Sequence, residues 1–136
     1  MDVFKNLPSN LIHGIELHVV GDGPLKKELE VQSNSFSNQE YVFFHGYRED
    51  IPSIMAAVDV LVLPSYREGT PRVITEARAS GLPVIATDIA GIPEMIEDQR
   101  TGYLFQPGDT ESLADRIAEL AKNPECRRQM GDATRD

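Results

Sequence analysis

The sequence predicts a doubly wound α/β domain, a parallel sheet with helices on both faces. Three observations lead there. Short apolar runs alternate with amphipathic helical patterns from residue 16 onward. The run at residues 60–63 is continuously apolar, as expected of a strand covered on both faces. The distinctive loops, residues 21–24, 46–50 and 65–70, each follow a strand. In open α/β sheets, ligands bind at the carboxyl ends of the strands, so these loops would share one edge and build one site.

The elements follow in order. Residues 16–20 read as the first strand, 21–24 as a turn and 25–31 as a charged amphipathic helix. Residues 41–44 are the second strand. Residues 51–58 form a short helix with Ile51, Ile54, Met55 and Val58 on one face. After the third strand at 60–63, a helix covers 71–80. Thr70 suits its N-cap and Pro71 its first position, while Gly81 stands where helices end, with Pro83 just beyond. Residues 83–86 are the fourth strand, 92–97 a short helix and 103–105 a short fifth strand. Leu113, Ile117, Leu120 and Ala121 recur at helical spacing within 110–122, and a last helix runs from Pro124 to about Met130.

Composition narrows the class of function. A chain of 136 residues with 40% hydrophobic and 26% charged residues is that of one soluble globular domain. A net charge of −9 argues against a nucleic-acid footprint and against docking on anionic lipid. No apolar run approaches a membrane span, and the first eight residues lack the basic start and apolar core of a signal peptide. Cys126 stands alone, which excludes an internal disulfide, and His13, His18 and His45 lack metal-binding spacing. The expectation is a cytoplasmic protein with structural histidines, of which His45 could line a pocket.

Residues 65–76, S-Y-R-E-G-T-P-R-V-I-T-E, are the most informative stretch. Two carboxylates, Glu68 and Glu76, flank a helix start. In the first turn the amides of Arg72 and Val73 have no intrahelical partner, and such a helix end can hold an anion. A carboxylate on either side could hold hydroxyls. An anion flanked by two polyols describes a sugar nucleotide. Taken singly, Glu68 could be a solvated loop residue, and Glu76 could pair with Arg72 at a gain of roughly a few tenths of a kcal/mol. Arg67 and Arg72 are the bases nearest the proposed anion. Arg48, Glu49 and Asp50 read as a solvated cluster.

The ordered motifs carry a resemblance. Val20-Gly21-Asp22-Gly23-Pro24, Phe44-His45-Gly46-Tyr47 and Ala57-Val58-Asp59-Val60 come first. The Ser65 to Glu76 signature follows, then Gly81-Leu82-Pro83-Val84-Ile85-Ala86, Gly91-Ile92-Pro93-Glu94, Gly102-Tyr103-Leu104-Phe105 and Pro107-Gly108-Asp109. Together they resemble the C-terminal, donor-binding domain of the family 4 (group 1) retaining glycosyltransferases, enzymes with two facing Rossmann-like domains, the GT-B fold. The resemblance covers nearly the whole chain. It implies that residues 1–136 are a partial sugar-nucleotide-binding domain of an enzyme moving a hexose from a nucleoside-diphosphate sugar to a glycan or lipid acceptor.

The resemblance also implies roles. Glu68, at the catalytic centre, would accept hydrogen bonds from donor hexose hydroxyls. Gly69 and Thr70 would let the backbone approach sugar and diphosphate. The amides of Arg72 and Val73 would hold the distal phosphate and Glu76 the ribose. Tyr47 would lie beside the nucleobase, bordered by Gly21 and Gly23. No D-x-D pair is present, so no metal and no other cofactor is expected.

The family's opening strand, ending in a G-R-x-x-x-x-K-G turn, has no counterpart here. Val3 to Pro8 resemble the helix after that turn. The acceptor domain has no counterpart either, so the chain reads as a fragment, inactive by itself, whose strands near Val19 and Val62 lack the neighbour between them in a 3-2-1-4-5-6 order. That open sheet makes self-association plausible. Two rivals stay open: a non-catalytic nucleotide-sugar-binding or assembly module that needs a partner chain, and an unrelated doubly wound binding domain in which Glu68 and Glu76 are ordinary surface residues.

Overall fold

The computed structural model describes residues 3, 7–12, 14–36, 38–69 and 71–135, without the side chains of residues 9 and 12. The helix that the resemblance implies near residues 3–8 falls largely outside them, as do His13 and Thr70. The chain divides into two compact units, Met1–Glu49 and Asp50–Asp136.

The first unit contains helix α1 (Ser9–Ile12), strand β1 (Leu17–Val20), helix α2 (Lys26–Ser33), a 3-10 turn at Gln39–Tyr41 and strand β2 (Val42–Gly46). The strands pair in parallel, with Leu17 opposite Val42 and Val19 opposite Phe44, and the register slips by one residue at Val20, which faces Gly46. Helix α2 makes the crossover that a parallel pair requires. It is a weaker amphipath than its pattern suggested, because Leu25 and Val31, the bounding apolar residues, are both exposed. His18 is engaged within the unit. It stacks on Phe43, and its Nδ1 and Nε2 lie 2.8 Å from His45 Nε2 and 3.0 Å from Glu16 Oε2.

The second unit contains α3 (Ile51–Ala57), β3 (Leu61–Leu63), α4 (Arg72–Ala79), β4 (Val84–Thr87), a 3-10 turn at Ile92–Glu94, β5 (Gly102–Phe105), α5 (Thr110–Lys122) and α6 (Pro124–Arg135). Its sheet is parallel with order β3-β4-β5. Every residue of β4 is buried. Val84 and Ala86 join Met55, Ile74, Ala77, Leu82, Ile92 and Ile96 in one core. Alternation sends Ile85 to the opposite face, where α5 lies against β4 and β5. The fully covered strand is therefore β4. β3, expected to be covered on both faces, is half-buried throughout, because among the described residues it pairs with β4 alone. β1 likewise pairs with β2 alone, so the strand orders are 2-1 and 3-4-5 rather than a single six-stranded sheet.

Helix ends explain two further differences. Pro71 is the N-cap of α4, not its first residue, with extended backbone (ψ 110°) and no side-chain cap. The last helix runs to Arg135 rather than stopping near Met130. Gly131 is needed inside the helix, because a Cβ there would lie 2.2 Å from the Gly81 carbonyl oxygen. Gly131 lets α6 lie against the end of α4. Gly81 (φ 68°) closes α4 in a Schellman turn, the Leu82 and Gly81 amides donating to the Ala77 and Arg78 carbonyls at 2.9 and 3.1 Å. Helix α5 has the expected bounds and an Asp109 cap that accepts from the Ser112 amide at 3.1 Å. Among the described residues no helix is long and apolar enough to cross a membrane.

Candidate functional site

Three loops leave the carboxyl edge of the β3-β4-β5 sheet, after Leu63, Thr87 and Phe105. They are tied to one another. The Asp88 amide donates to the Phe105 carbonyl at 2.8 Å, and the Gln106 amide group to Asp88 Oδ2 at 3.2 Å. A Cβ at Gly91 would lie 3.8 Å from the Gly69 carbonyl oxygen, and one at Gly108 3.8 Å from the Tyr66 hydroxyl. Tyr66 itself is 75% exposed, an aromatic ring standing on the rim of this edge.

Glu68 sits half-buried in the first loop, where the Ser65 hydroxyl donates to its Oε1 at 2.7 Å. It is not the freely solvated carboxylate of the simpler reading. The loop is anchored in turn, since the Thr87 hydroxyl, at the end of β4, donates to the Ser65 carbonyl at 2.8 Å.

Just beyond lies the start of α4. Arg72 and Val73 occupy its first turn, where amides point outward without intrahelical partners. The Ile74 amide is already used, donating back to the Pro71 carbonyl at 3.2 Å. Glu76 is half-buried and Arg72 exposed, and among the described residues they form no ion pair, so that bland role for Glu76 is absent. The positive end of the helix dipole and two amides without a partner among the described residues thus lie next to a loop that carries an oriented carboxylate.

The second unit therefore brings together Glu68, Gly69, Arg72, Val73 and Glu76 on one loop and helix start. Gly21, Gly23 and Tyr47 belong to the first unit. There the Gly21 amide (φ 133°) donates to the Gly46 carbonyl at 2.7 Å, so the turn after β1 and the end of β2 meet at one edge. Tyr47 follows, 71% exposed. A Cβ at Gly23 would meet nothing within 4 Å, so steric demand does not account for that glycine.

Ser65 and Thr87 were not singled out from sequence. A hydroxyl three residues before a loop carboxylate is a signal for the first. The second spans 22 residues and leaves no local trace. Among the described residues, no group of three or more His, Cys, Asp or Glu is placed to hold a metal ion. The hollows of about 280 and 190 Å³ lie elsewhere, beside α6 and the residues leading into β5.

Residues 1–136 match the family model described as glycosyl transferases group 1. The chain belongs to that family. It is 40% identical over 121 residues to a sulfoquinovosyl transferase of Arabidopsis thaliana, covering 86% of this chain and 23% of that protein. It is 36% identical over 121 residues to the N-acetyl-alpha-D-glucosaminyl L-malate synthase of Bacillus anthracis, covering 89% of this chain and 32% of the other. The crystal structure of HepE from Anabaena in complex with UDP-glucose superposes with a TM-score of 0.87 and 30% identity, over 98% of this chain and 37% of that one. This glycosyltransferase-family chain thus spans less than a third of the length of these two curated relatives. Its parallel α/β architecture is that of the C-terminal half of a GT-B glycosyltransferase.

Proposed function

We propose that this chain is the donor-binding domain of a retaining glycosyltransferase that moves a hexose from a nucleoside-diphosphate sugar to a glycan or lipid acceptor. The observation that carries the reading is Glu68, an oriented carboxylate just before a helix start whose first two amides have no partner among the described residues. Glu68 binds hexose hydroxyls, and Gly69 and Thr70 allow close approach of sugar and diphosphate. The Arg72 and Val73 amides hold the distal phosphate, and Glu76 takes the ribose hydroxyls. Gly21, Gly23 and Tyr47 receive the nucleobase, a role that rests on their motif positions alone.

Charge develops on the leaving nucleoside diphosphate as the glycosidic bond breaks. Fixed amides and a helix dipole that already point at that position stabilise it without reorganising. The reading assigns this task to the backbone and to no metal ion. HepE, whose structure holds UDP-glucose, supports a uridine donor as the first to try.

The test is calorimetric titration of the chain with UDP, UDP-glucose and GDP-mannose, in the presence and absence of EDTA. Binding that EDTA leaves unchanged and that Glu76→Ala weakens about tenfold, through loss of charge-assisted hydrogen bonds, is the expected result. A folded chain that binds none of these ligands would overturn the reading. Binding abolished by EDTA would overturn its metal-free part.

A further inference from the structure

We propose that Ser65 and Thr87 are positioning residues that hold the Glu68 carboxylate ready for the donor hexose; this rests on the donor-binding reading. Glu68 lies in a loop without regular structure. A carboxylate on such a loop would sample several rotamers and lose that freedom on binding a ligand. Binding hydroxyls with useful selectivity requires the acceptor oxygens to be fixed to within about 0.5 Å.

A two-step relay fixes them here. The Ser65 hydroxyl donates to Glu68 Oε1 at 2.7 Å, which occupies one side of the carboxylate. Among the described residues, Oε2 and the remaining lone pair of Oε1 are left for a ligand. Ser65 is itself held, because its carbonyl accepts the Thr87 hydroxyl at 2.8 Å. Thr87 is 1% exposed, ends the fully buried β4 and lies opposite Phe105 of β5. The orientation of Glu68 is therefore referred to the fully buried strand of the sheet through two hydroxyl groups. Neither hydroxyl touches the ligand in this scheme. They act on how the sugar is recognised and not on the nucleoside diphosphate, which the α4 amides hold.

That division sets the test. UDP-glucose is titrated against UDP, and GDP-mannose against GDP, and the ratio of the two affinities in the pair that binds measures the hexose contribution. Ser65→Ala is expected to reduce that ratio about tenfold and Thr87→Val about threefold, with nucleoside-diphosphate affinity unchanged. Thr87→Ser, which keeps the hydroxyl, is expected to restore the ratio. A purely structural role would weaken both ligands together and would not be rescued this way. Ser65→Ala with an unchanged ratio, or with equal loss for both ligands, overturns the proposal while Glu68→Gln still abolishes the ratio. If Glu68→Gln also leaves the ratio unchanged, or if the wild-type chain binds neither pair, the donor-binding reading itself has failed and this inference falls with it.

Discussion

The two compact units are built from the same parallel strands and crossover helices, yet they differ in how much of each strand is covered. In the second, β4 is buried along its whole length and its core draws on α3, α4 and the turn at Ile92–Glu94. In the first, β1 and β2 are at best half-buried, and Val20 and Phe43 are exposed. A two-stranded sheet is marginal by itself in water. The groups proposed to hold sugar and phosphate thus stand on the well-covered frame, whereas Gly21, Gly23 and Tyr47 stand on the sparse one. On that proposal, recognition that needs fixed geometry falls on the better-covered unit.

The largest effect that would break this contrast is in the cores. Ile74→Ala, at a fully buried site, should cost about 2–5 kcal/mol in global unfolding and lower the melting temperature accordingly. Phe36→Ala, at a buried aromatic of the first unit, should instead speed hydrogen exchange in residues up to 49 while β4 amides keep their protection. If β1 and β2 amides prove as protected as those of β4, the contrast is wrong.

A smaller effect sharpens the contrast at the docking of α5. The Tyr103 hydroxyl donates to Glu119 at 2.7 Å, and the Arg116 guanidinium sits 4.4 Å from its ring centroid. The Tyr103 bond, then Arg116, holds the Glu119 carboxyl below its ordinary value of 4.5. Burial and that same carboxylate push the Tyr103 phenol well above its ordinary range. A depressed acid stabilises the fold above its ordinary pKa and loses that contribution as pH falls through the folded value; a raised phenol contributes below its ordinary pKa and loses that as pH rises through its folded value. Tyr103→Phe should cost roughly 0.5–1.5 kcal/mol near neutral pH. It should also flatten the acid-side fall in melting temperature as pH drops below the ordinary Glu119 value of 4.5. An unchanged acid limb would mean that the pair does not couple α5 to β5.

Much of this was legible because the patterns are local. The α5 bounds follow from a three-turn apolar stripe and the Gly81 stop from one residue type, and the strands fell within a residue or two of their observed ends. What escaped detection depends on partners distant in sequence. Ser9–Ile12 and Gln39–Tyr41 are too short to show a period. The continuation of α6 through Gly131 makes sense only once Gly81 lies against it. An apolar run cannot say which of β3 and β4 is central, because pairing decides that. In the site, Glu68 and the first-turn amides were readable from one twelve-residue stretch. Thr87 was not, because its hydroxyl meets Ser65 only when β3 and β4 are side by side.

The smallest predicted effect tests whether the firm frame stores strain where it is used. Among the described residues, Ala90 (φ 46°) and Gln99 (φ 70°) are the non-glycine residues with left-handed backbone. Ala90 precedes Gly91, beside Gly69 on the site edge. Gln99 is at the other end of β5, its amide donating to the Gly102 carbonyl at 2.8 Å. A non-glycine residue there costs about 1–2 kcal/mol, partly offset on replacement because glycine loses about 0.5–1 kcal/mol more chain entropy on folding. Ala90→Gly and Gln99→Gly should each therefore raise stability by about 0.5 kcal/mol in denaturant melts. They should differ in binding. Strain held at a ligand edge persists because the surrounding structure fixes it, and freeing it lets the loop relax away from the bound geometry. Ala90→Gly should weaken sugar-nucleotide binding while Gln99→Gly leaves it unchanged. Equal binding by both variants would mean that the strain at Ala90 is incidental to the turn, and that the order of the site edge comes from the Thr87–Ser65–Glu68 relay and the Asp88–Phe105 link alone.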